Sequence, residues 1–481
     1  MSQSVEAVIG RWSDGPGPLH RKLSDALRDA VRRGRLPVGE RLPSERELAT
    51  RLAVSRSTVV TAYDTLRGEG LLESRQGSGT RVCGRAQGHA PIDLPISPVY
   101  RSLIDDPGHL ISLACAVFPA HQLVSEAVAT VLREDAEKLL THTGYLPAGL
   151  PALREALAVR LTDEGTPTEP EQVLVTTGAQ QAVNLATTLL VGPGDAVVVE
   201  TPSFSGTLDV FRARGARLVP VPIDDQGVDV RAVSDAIADH RPALLYLMPT
   251  FHNPTGARLA VHRRRALAEL SARHDLPLVE DNALEGAPLD DERVPPIAAY
   301  APPGAPVFSA GSFSKAAWGG LRLGWLRGPA AGIARLAELK AMADLGSPLF
   351  DQAVAARLVP DLPKLRHDHS IMLQQNLAFV GELLADQLPS WEYDRPTGGP
   401  SLWVRLPVGT AAAFCQMALR YGVEVVPGDV MSPDGLHGDR IRFPYTAEPQ
   451  VLEETVRRLA QAWRAYVPSD DPRPARRPVV V

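Results

Sequence analysis

Cysteine is scarce: Cys83, Cys115 and Cys415 are the only three in 481 residues. They lie far apart, with no metal-like spacing and no even-numbered disulfide framework, and they fit a reducing compartment. No apolar run approaches the ~18–20 residues that cross a bilayer. The first residues, MSQSVEAVIGRW, lack the basic-then-apolar pattern of an export signal. Internal repeats are also missing, which excludes solenoids and propellers. These absences lead us to expect a cytoplasmic protein with no membrane and no metal partner.

What is present is a globular composition, 44% apolar and 22% charged, in a length that suggests two or three units. Charge is unevenly spread. Residues 18–82 carry 13 Lys and Arg against 8 Asp and Glu, a local +5 in a chain of net −6, which leaves −11 for the rest. A basic module on an acidic body fits local nucleic-acid binding better than a chain that coats DNA along its whole surface.

Within residues 18–33, Leu19, Leu23, Leu27 and Val31 recur at helical spacing, and Gly34 ends the pattern. Ser44 followed three residues later by Glu47 has the form of a capping box that opens a second helix, which ends near Leu52. Ser55 caps a third helix, with Val59, Tyr63 and Leu66 facing inward and Gly70 closing it. Residues 71–82, LLESRQGSGTRV, read as a hairpin that turns at Gly77-Ser78-Gly79. Two short capped helices and a Gly-tipped hairpin make a winged helix-turn-helix. Its last helix offers Ser55, Arg56, Ser57 and Thr58 to the major groove. An arginine there can fork onto guanine, while Arg46 and the backbone of the 77–79 turn suit phosphates. Over residues 18–82 the segment resembles the DNA-binding domain of the GntR family, with GRLPVGERLPSERELATRLAVSRSTVVTAYDTLRGEGLLESRQGSGTRV (34–82) carrying the likeness. That resemblance implies double-stranded operator DNA as a partner and Arg46, Ser55, Arg56, Thr58 and Gly77 as its contacts.

Residues 84–108 are rich in Gly, Pro and polar residues without periodicity, a linker composition. From about 110 to 467 short apolar runs alternate with helical stretches. The strand candidates are QVLVTTG (172–178), DAVVVETP (195–202), ALLYLMP (243–249), LPLVED (276–281) and PVFSAGS (306–312). Such continuous apolar runs predict an α/β fold around a mostly parallel sheet buried on both faces. After about residue 346 a smaller C-terminal subdomain is expected. The expected division is 12–83 DNA-binding, 84–108 linker, 109–467 α/β domain and 468–481 disordered tail.

The ends of those strands hold a particular set of side chains. Lys315 follows a strand in SAGSFSKAAWGGLRLGW (309–325), with Ser312, Ser314 and Arg322 able to hold a phosphate. Gly178, Ala179 and Gln180 stand where a strand enters a helix, whose N–H groups suit a dianion. Asp281 closes the LPLVED strand, Asn253 sits in HNPTG and Phe204 in ETPSF. A lysine for covalent attachment, an acid for a pyridine nitrogen, a donor to a ring oxygen, a phosphate cradle and a flat cover meet the needs of pyridoxal 5′-phosphate. From about 110 to 467 this set resembles the fold-type I, class I/II aminotransferases. With the GntR-type segment in front, the chain resembles the MocR subfamily of regulators.

The resemblance implies more. Tyr145, in YLPAGLPALR (145–154), matches a tyrosine that reaches the partner subunit's cofactor phosphate, so a homodimer is expected. Arg440, in DRIRF (439–443), matches an arginine that binds a substrate carboxylate, and Arg442 is close enough to be the one instead. Ser401 and Trp403 lie where the family lines its site and receive no role. One departure stands out: Ala283 occupies the place of an expected tyrosine in Asp281-Asn282-Ala283, which removes a donor to the ring oxygen. Three readings follow. The first is a DNA-bound regulator that senses the cofactor or an amine or amino acid, with no physiological turnover expected. The second is a working aminotransferase with a DNA-binding head, against which Ala283 counts. The third is a regulator with a cofactor-free scaffold, against which Lys315, Asp281, Asn253 and Arg322 count.

Overall fold

The computed structural model describes residues 5–14, 17–75, 79–83, 104 and 108–466. Gly77, nearly all of the expected linker and the expected C-terminal tail lie outside the described residues.

The N-terminal module has helices α1 (Val5–Ile9), α2 (Leu19–Arg32), α3 (Glu45–Arg51) and α4 (Arg56–Gly68), then strands β1 (Leu72–Arg75) and β2 (Gly79–Val82) paired antiparallel. Leu23, Leu27, Leu48, Val59, Tyr63 and Leu66 form its core, each fully buried. The Tyr63 hydroxyl donates to the Pro43 carbonyl at 3.0 Å, which satisfies the one polar atom that this ring brings inside. Ser44 Oγ accepts the Glu47 N–H at 3.2 Å. The Glu47 carboxylate turns instead to Arg51 one helical turn on, so only half of the expected capping box forms. Helix α1 and Trp12, which the periodicity did not mark, complete this core.

The large domain is built on an eight-stranded sheet. Its strands are β3 (Val173–Thr176), β4 (Ala196–Thr201), β5 (Arg217–Asp224), β6 (Gly227–Val228), β7 (Leu244–Leu247), β8 (Leu278–Asp281), β9 (Val307–Ser312) and β10 (Gly324–Arg327). They lie in the order β3-β10-β9-β8-β7-β4-β5-β6. The central pairings are parallel, β10 runs antiparallel to both neighbours, and β6 is a hairpin at the edge. Strands β3, β7, β8 and β9 are buried along their whole length, because helices cover both faces. Val279 packs into the cluster on one face and Leu278 into that on the other. A four-stranded antiparallel sheet, centred on Ser401–Arg405 and Arg440–Pro444, forms the smaller subdomain with helices Ala411–Arg420 and Pro449–Tyr466. Among the described residues no helix is long and apolar enough to cross a membrane.

The N-terminal module docks on this smaller subdomain. Arg11 forks onto Glu424 at 2.7 and 3.1 Å, and Trp12 Nε1 donates to Gln416 at 3.0 Å. Arg420 donates to the carbonyls of Leu52 and Ala53, the latter at 2.8 Å, in the turn between α3 and α4.

Candidate functional site

In an open parallel sheet the residues beyond the carboxyl ends of the strands face a crevice, and here polar side chains replace apolar ones. Strand alternation sends Asp281 to the face of Val279 and Tyr246, and Glu280 to the other. Asp281 Oδ2 accepts the Tyr246 hydroxyl at 2.8 Å and Oδ1 accepts the Ala283 N–H at 2.9 Å. Thr207 Oγ1 in turn lies 3.1 Å from the Tyr246 hydroxyl. Burial raises the Asp281 carboxyl above its ordinary range, against the pull of those two donors. Tyr246 and Thr207 escaped the sequence reading. The available signal was one tyrosine in the otherwise aliphatic run LLYLMP.

Lys315, beyond the end of β9, donates to the Ala116 carbonyl. Desolvation brings its ammonium down to about 8; Cys115 opposes the shift, and Arg442 and Arg322 add to it. Arg442 is 3% exposed and donates to the Ala114 carbonyl, while its Nε has no partner. Residues 114–116 therefore run between Lys315 and Arg442, a backbone shelf that orients both cations. Arg440 does not join them. It shares the strand and side of Arg442, but the ladder pairs it with the exposed Arg405, whereas Arg442 pairs with the buried Trp403. The cation beside Lys315 is Arg442, the alternative that the sequence left open next to Arg440.

The anion end is assembled by glycines. Gly178 has φ +96° and caps the helix Ala179–Leu190, leaving the first N–H groups open. A side chain at Gly324 would lie 2.8 Å from the Gly178 Cα, so the two backbones need glycine to meet. Arg322, itself at φ +50° and still exposed, donates to the Thr177 carbonyl at 3.2 Å on this side. Ser312 Oγ accepts the Ser314 N–H at 3.1 Å, which fixes the turn into Lys315. The Gln180 side chain donates away to the Gly206 carbonyl at 3.1 Å, so its backbone alone is available here. Phe204 caps the helix Ser205–Ala213 and is half-buried against the Val279 cluster, and Asn253 is half-buried before Pro254. Tyr145 is 65% exposed on the loop before the helix Pro151–Asp163 and has no hydrogen bond to a described residue. Among the described residues no group of three or more His, Cys, Asp or Glu could hold a metal ion.

At the other end of the chain, Ser55 Oγ accepts the Thr58 N–H at 3.2 Å and lies 2.8 Å from Ser57 Oγ and 2.9 Å from Thr58 Oγ1. Arg56 and Arg46 are exposed and make no ion pair with a described residue, whereas Arg28, Arg33, Arg51 and Arg67 of the same module each do.

Residues 111–460 match the family model for aminotransferase class I and II, and residues 19–82 match that for bacterial regulatory proteins of the gntR family. The chain therefore belongs to the class I and II aminotransferase family, in the MocR subfamily that joins this fold to a GntR-type winged helix. It is 30% identical to the uncharacterized HTH-type transcriptional regulator YisV of Bacillus subtilis, over 92% of this chain and 96% of that one. It is 31% identical to the HTH-type pyridoxine biosynthesis transcriptional regulator PdxR of Corynebacterium glutamicum, over 80% of this chain and 82% of that one. Among solved structures it resembles LysN, the alpha-aminoadipate aminotransferase of Thermus thermophilus, complexed with N-(5′-phosphopyridoxyl)-L-leucine. The TM-score is 0.69 at 29% identity, over 78% of this chain and 96% of that one.

Proposed function

We propose that this protein is a DNA-binding transcriptional regulator whose aminotransferase-like domain holds pyridoxal 5′-phosphate and senses the cofactor or an amine or amino acid bound with it. The observation that carries the reading is the pairing, in one chain, of two exposed arginines on a helix-turn-helix with a desolvated lysine that faces a backbone carbonyl. When bound, the cofactor supplies an electrophilic carbonyl and an electron-accepting ring. The residues fit it. Lys315 has an amine brought down to about 8, which leaves a far larger neutral, nucleophilic fraction near neutral pH than an ordinary lysine has. Asp281 is a buried carboxyl in need of a proton or a cationic partner, which a pyridine nitrogen satisfies. Arg322, Ser312, Ser314 and the N–H groups of Gly178, Ala179 and Gln180 suit the phosphate. Asn253 suits the ring oxygen and Phe204 a ring face. The orphaned Nε of Arg442 suits a ligand carboxylate.

Arg46, Ser55, Arg56, Thr58 and Gly77 are the proposed DNA contacts. We assign a homodimer, with exposed Tyr145 reaching the partner's phosphate, and the division 12–83, 84–108 and 109–467. Operator affinity in this reading changes with occupancy of the cofactor site. A footprint upstream of the protein's own gene, with and without added pyridoxal 5′-phosphate, tests it. Protection that depends on the cofactor is expected, and no protection in either state would overturn the reading.

A further inference from the structure

Behind the strand that carries Asp281 lies a second cavity, of about 360 Å³. The alternation that turns Asp281 to the cofactor side turns Asn282 away from it, and Asn282 lines this cavity. Asn282 is 6% exposed and its Oδ1 has no hydrogen-bond partner. Around it stand Arg258, Arg264, Arg293, Arg327 and Arg366. Arg258 and Arg293 are paired, with Asp290 at 2.6 Å and Glu164 at 3.6 Å. The other three have no carboxylate within 4.0 Å among the described residues. Arg264 donates to the Pro249 carbonyl at 2.7 Å, Arg327 to that of Pro167 at 3.1 Å, and Arg366 to that of Glu292 at 2.9 Å.

The acids of the wall do not neutralise this set. Glu292 is taken by Arg258, Glu164 and Glu285 by Arg160, and Asp163 sits at the exposed rim. Glu280, the buried acid nearest to Arg264 and Arg327, is filled by the Ile297 and Ala298 N–H groups and the Ser309 hydroxyl. Burial, with Arg293 and Arg258 nearby, brings Arg366 down to about 10, more than Asp290 and Glu164 restore. Arg264 has its N–H groups filled by carbonyls and Thr250, whereas Arg327 and Arg366 are half-buried and keep N–H groups that no described residue accepts, so an anion in the cavity would complete them.

We propose that this cavity binds a small organic oxyanion, a carboxylate or phosphate held by Arg366 and Arg327, with a hydroxyl or N–H group donating to Asn282. The site is separate from the cofactor crevice, being on the opposite face of β8. Its occupant is placed to act on that crevice by two routes. Asn282 adjoins Asp281 in the chain. Phe251, a wall residue at φ +56° with the Arg258 guanidinium 5.2 Å from its ring centroid, leads directly into His252 and Asn253.

Full-length protein with saturating pyridoxal 5′-phosphate, which fills the phosphate cradle, should be titrated by calorimetry with inorganic phosphate and separately with succinate. Sodium chloride at matched ionic strength is the reference. Saturable binding of one equivalent per chain is expected for at least one of the two, and which one binds tells phosphate from carboxylate. The affinity should fall tenfold or more in Arg366→Gln and in Arg327→Gln. On the unmodified protein, the ligand should slow amide exchange at residues 292–294 and 309–311, which wall the cavity. Heats equal to those of sodium chloride, affinity unchanged in both variants, or protection confined to the cofactor crevice or the N-terminal module would each overturn the proposal. The exchange map decides the matter even if a variant fails to fold.

Discussion

The two ends of this molecule use cations in opposite ways. In the N-terminal module Arg46 and Arg56 are exposed and make no ion pair with a described residue. In the large domain Lys315 and Arg442 are desolvated, and each is fixed by a carbonyl of residues 114–116. A solvated cation costs little to keep and binds through counterion release, so its affinity falls steeply with salt. A buried cation is destabilising until its ligand arrives, yet it is preorganised and poorly screened. The first design suits an extended polyanion, along which Arg46 can hold phosphate while Arg56 reaches a base edge. The second suits one small molecule with charges in fixed places.

The sharpest test of the contrast is Lys315→Ala. Removal of the amine should abolish the covalently held fraction of pyridoxal 5′-phosphate outright. The visible absorbance band that borohydride locks to the peptide containing Lys315 should vanish. A band of unchanged wavelength and intensity in the variant would move the attachment to another residue. DNA binding by the N-terminal module without cofactor should be unaffected.

Arg56→Ala comes next in size. Loss of a forked contact to a base edge costs about 1–3 kcal/mol and relaxes specificity at that base pair alone. Arg46→Ala should weaken all sequences alike and flatten the dependence of affinity on salt. Equal behaviour of the two variants across a panel of operator mutants would remove the distinction between a base-reading helix and a phosphate-holding one.

The buried cation also has a pH signature that the exposed ones lack. Lys315 has its ammonium lowered to about 8 by burial, against 10.5 for the free side chain. The unfolded chain thus holds the proton more tightly between those values, and stability from this group must rise with pH across that window. Below about 8 the penalty is present in full, and above 10.5 it is gone. Without cofactor, the difference in urea midpoint between Lys315→Met and the unmodified protein should therefore shrink as pH rises from 8 to 10.5. A difference independent of pH would mean that Lys315 is not desolvated in the free protein.

Legibility from sequence followed the same divide. Helices α2–α4 and the buried strands β3, β4, β7, β8 and β9 could be read because capping residues and continuous apolar runs are local signals. Strand β5 was missed, since Arg217–Asp224 alternates buried and exposed residues and carries Pro220 and Pro222 near the sheet edge. The partners of Asp281 were missed because a hydrogen bond from Tyr246 spans 35 positions and leaves no local pattern. Arg440 and Arg442 share one side of one strand, so periodicity could not separate them. Only the contact of Arg442 with the Ala114 carbonyl, two residues from the carbonyl that holds Lys315, separates the two. The docking of the module was equally silent, as Arg420 donates to backbone carbonyls more than 360 positions away and needs no particular residue there.

That contact offers the smallest of the expected effects and joins the two halves of the comparison. Arg420 is half-buried and its guanidinium caps the carbonyls of Leu52 and Ala53 at the turn before the recognition helix. Ala53 has φ +50°, so the turn is held in a left-handed conformation that a side chain ordinarily resists. A hydrogen bond of this kind contributes about 0.5–1.5 kcal/mol net. Arg420→Ala removes it without touching the core of either domain, because Arg11, Trp12 and their partners remain. If the N-terminal module melts separately, 1 kcal/mol in a domain of its size is worth roughly 4–8 °C. The first transition in calorimetry should fall by about that much, and the transition of the large domain should stay where it is. Should both move together, the module and the large domain unfold as one unit, and the exposed and buried cations belong to a single cooperative structure. Should neither move, the contact holds nothing, and coupling between cofactor and DNA would have to run through contacts such as Arg11–Glu424 and Trp12–Gln416 instead.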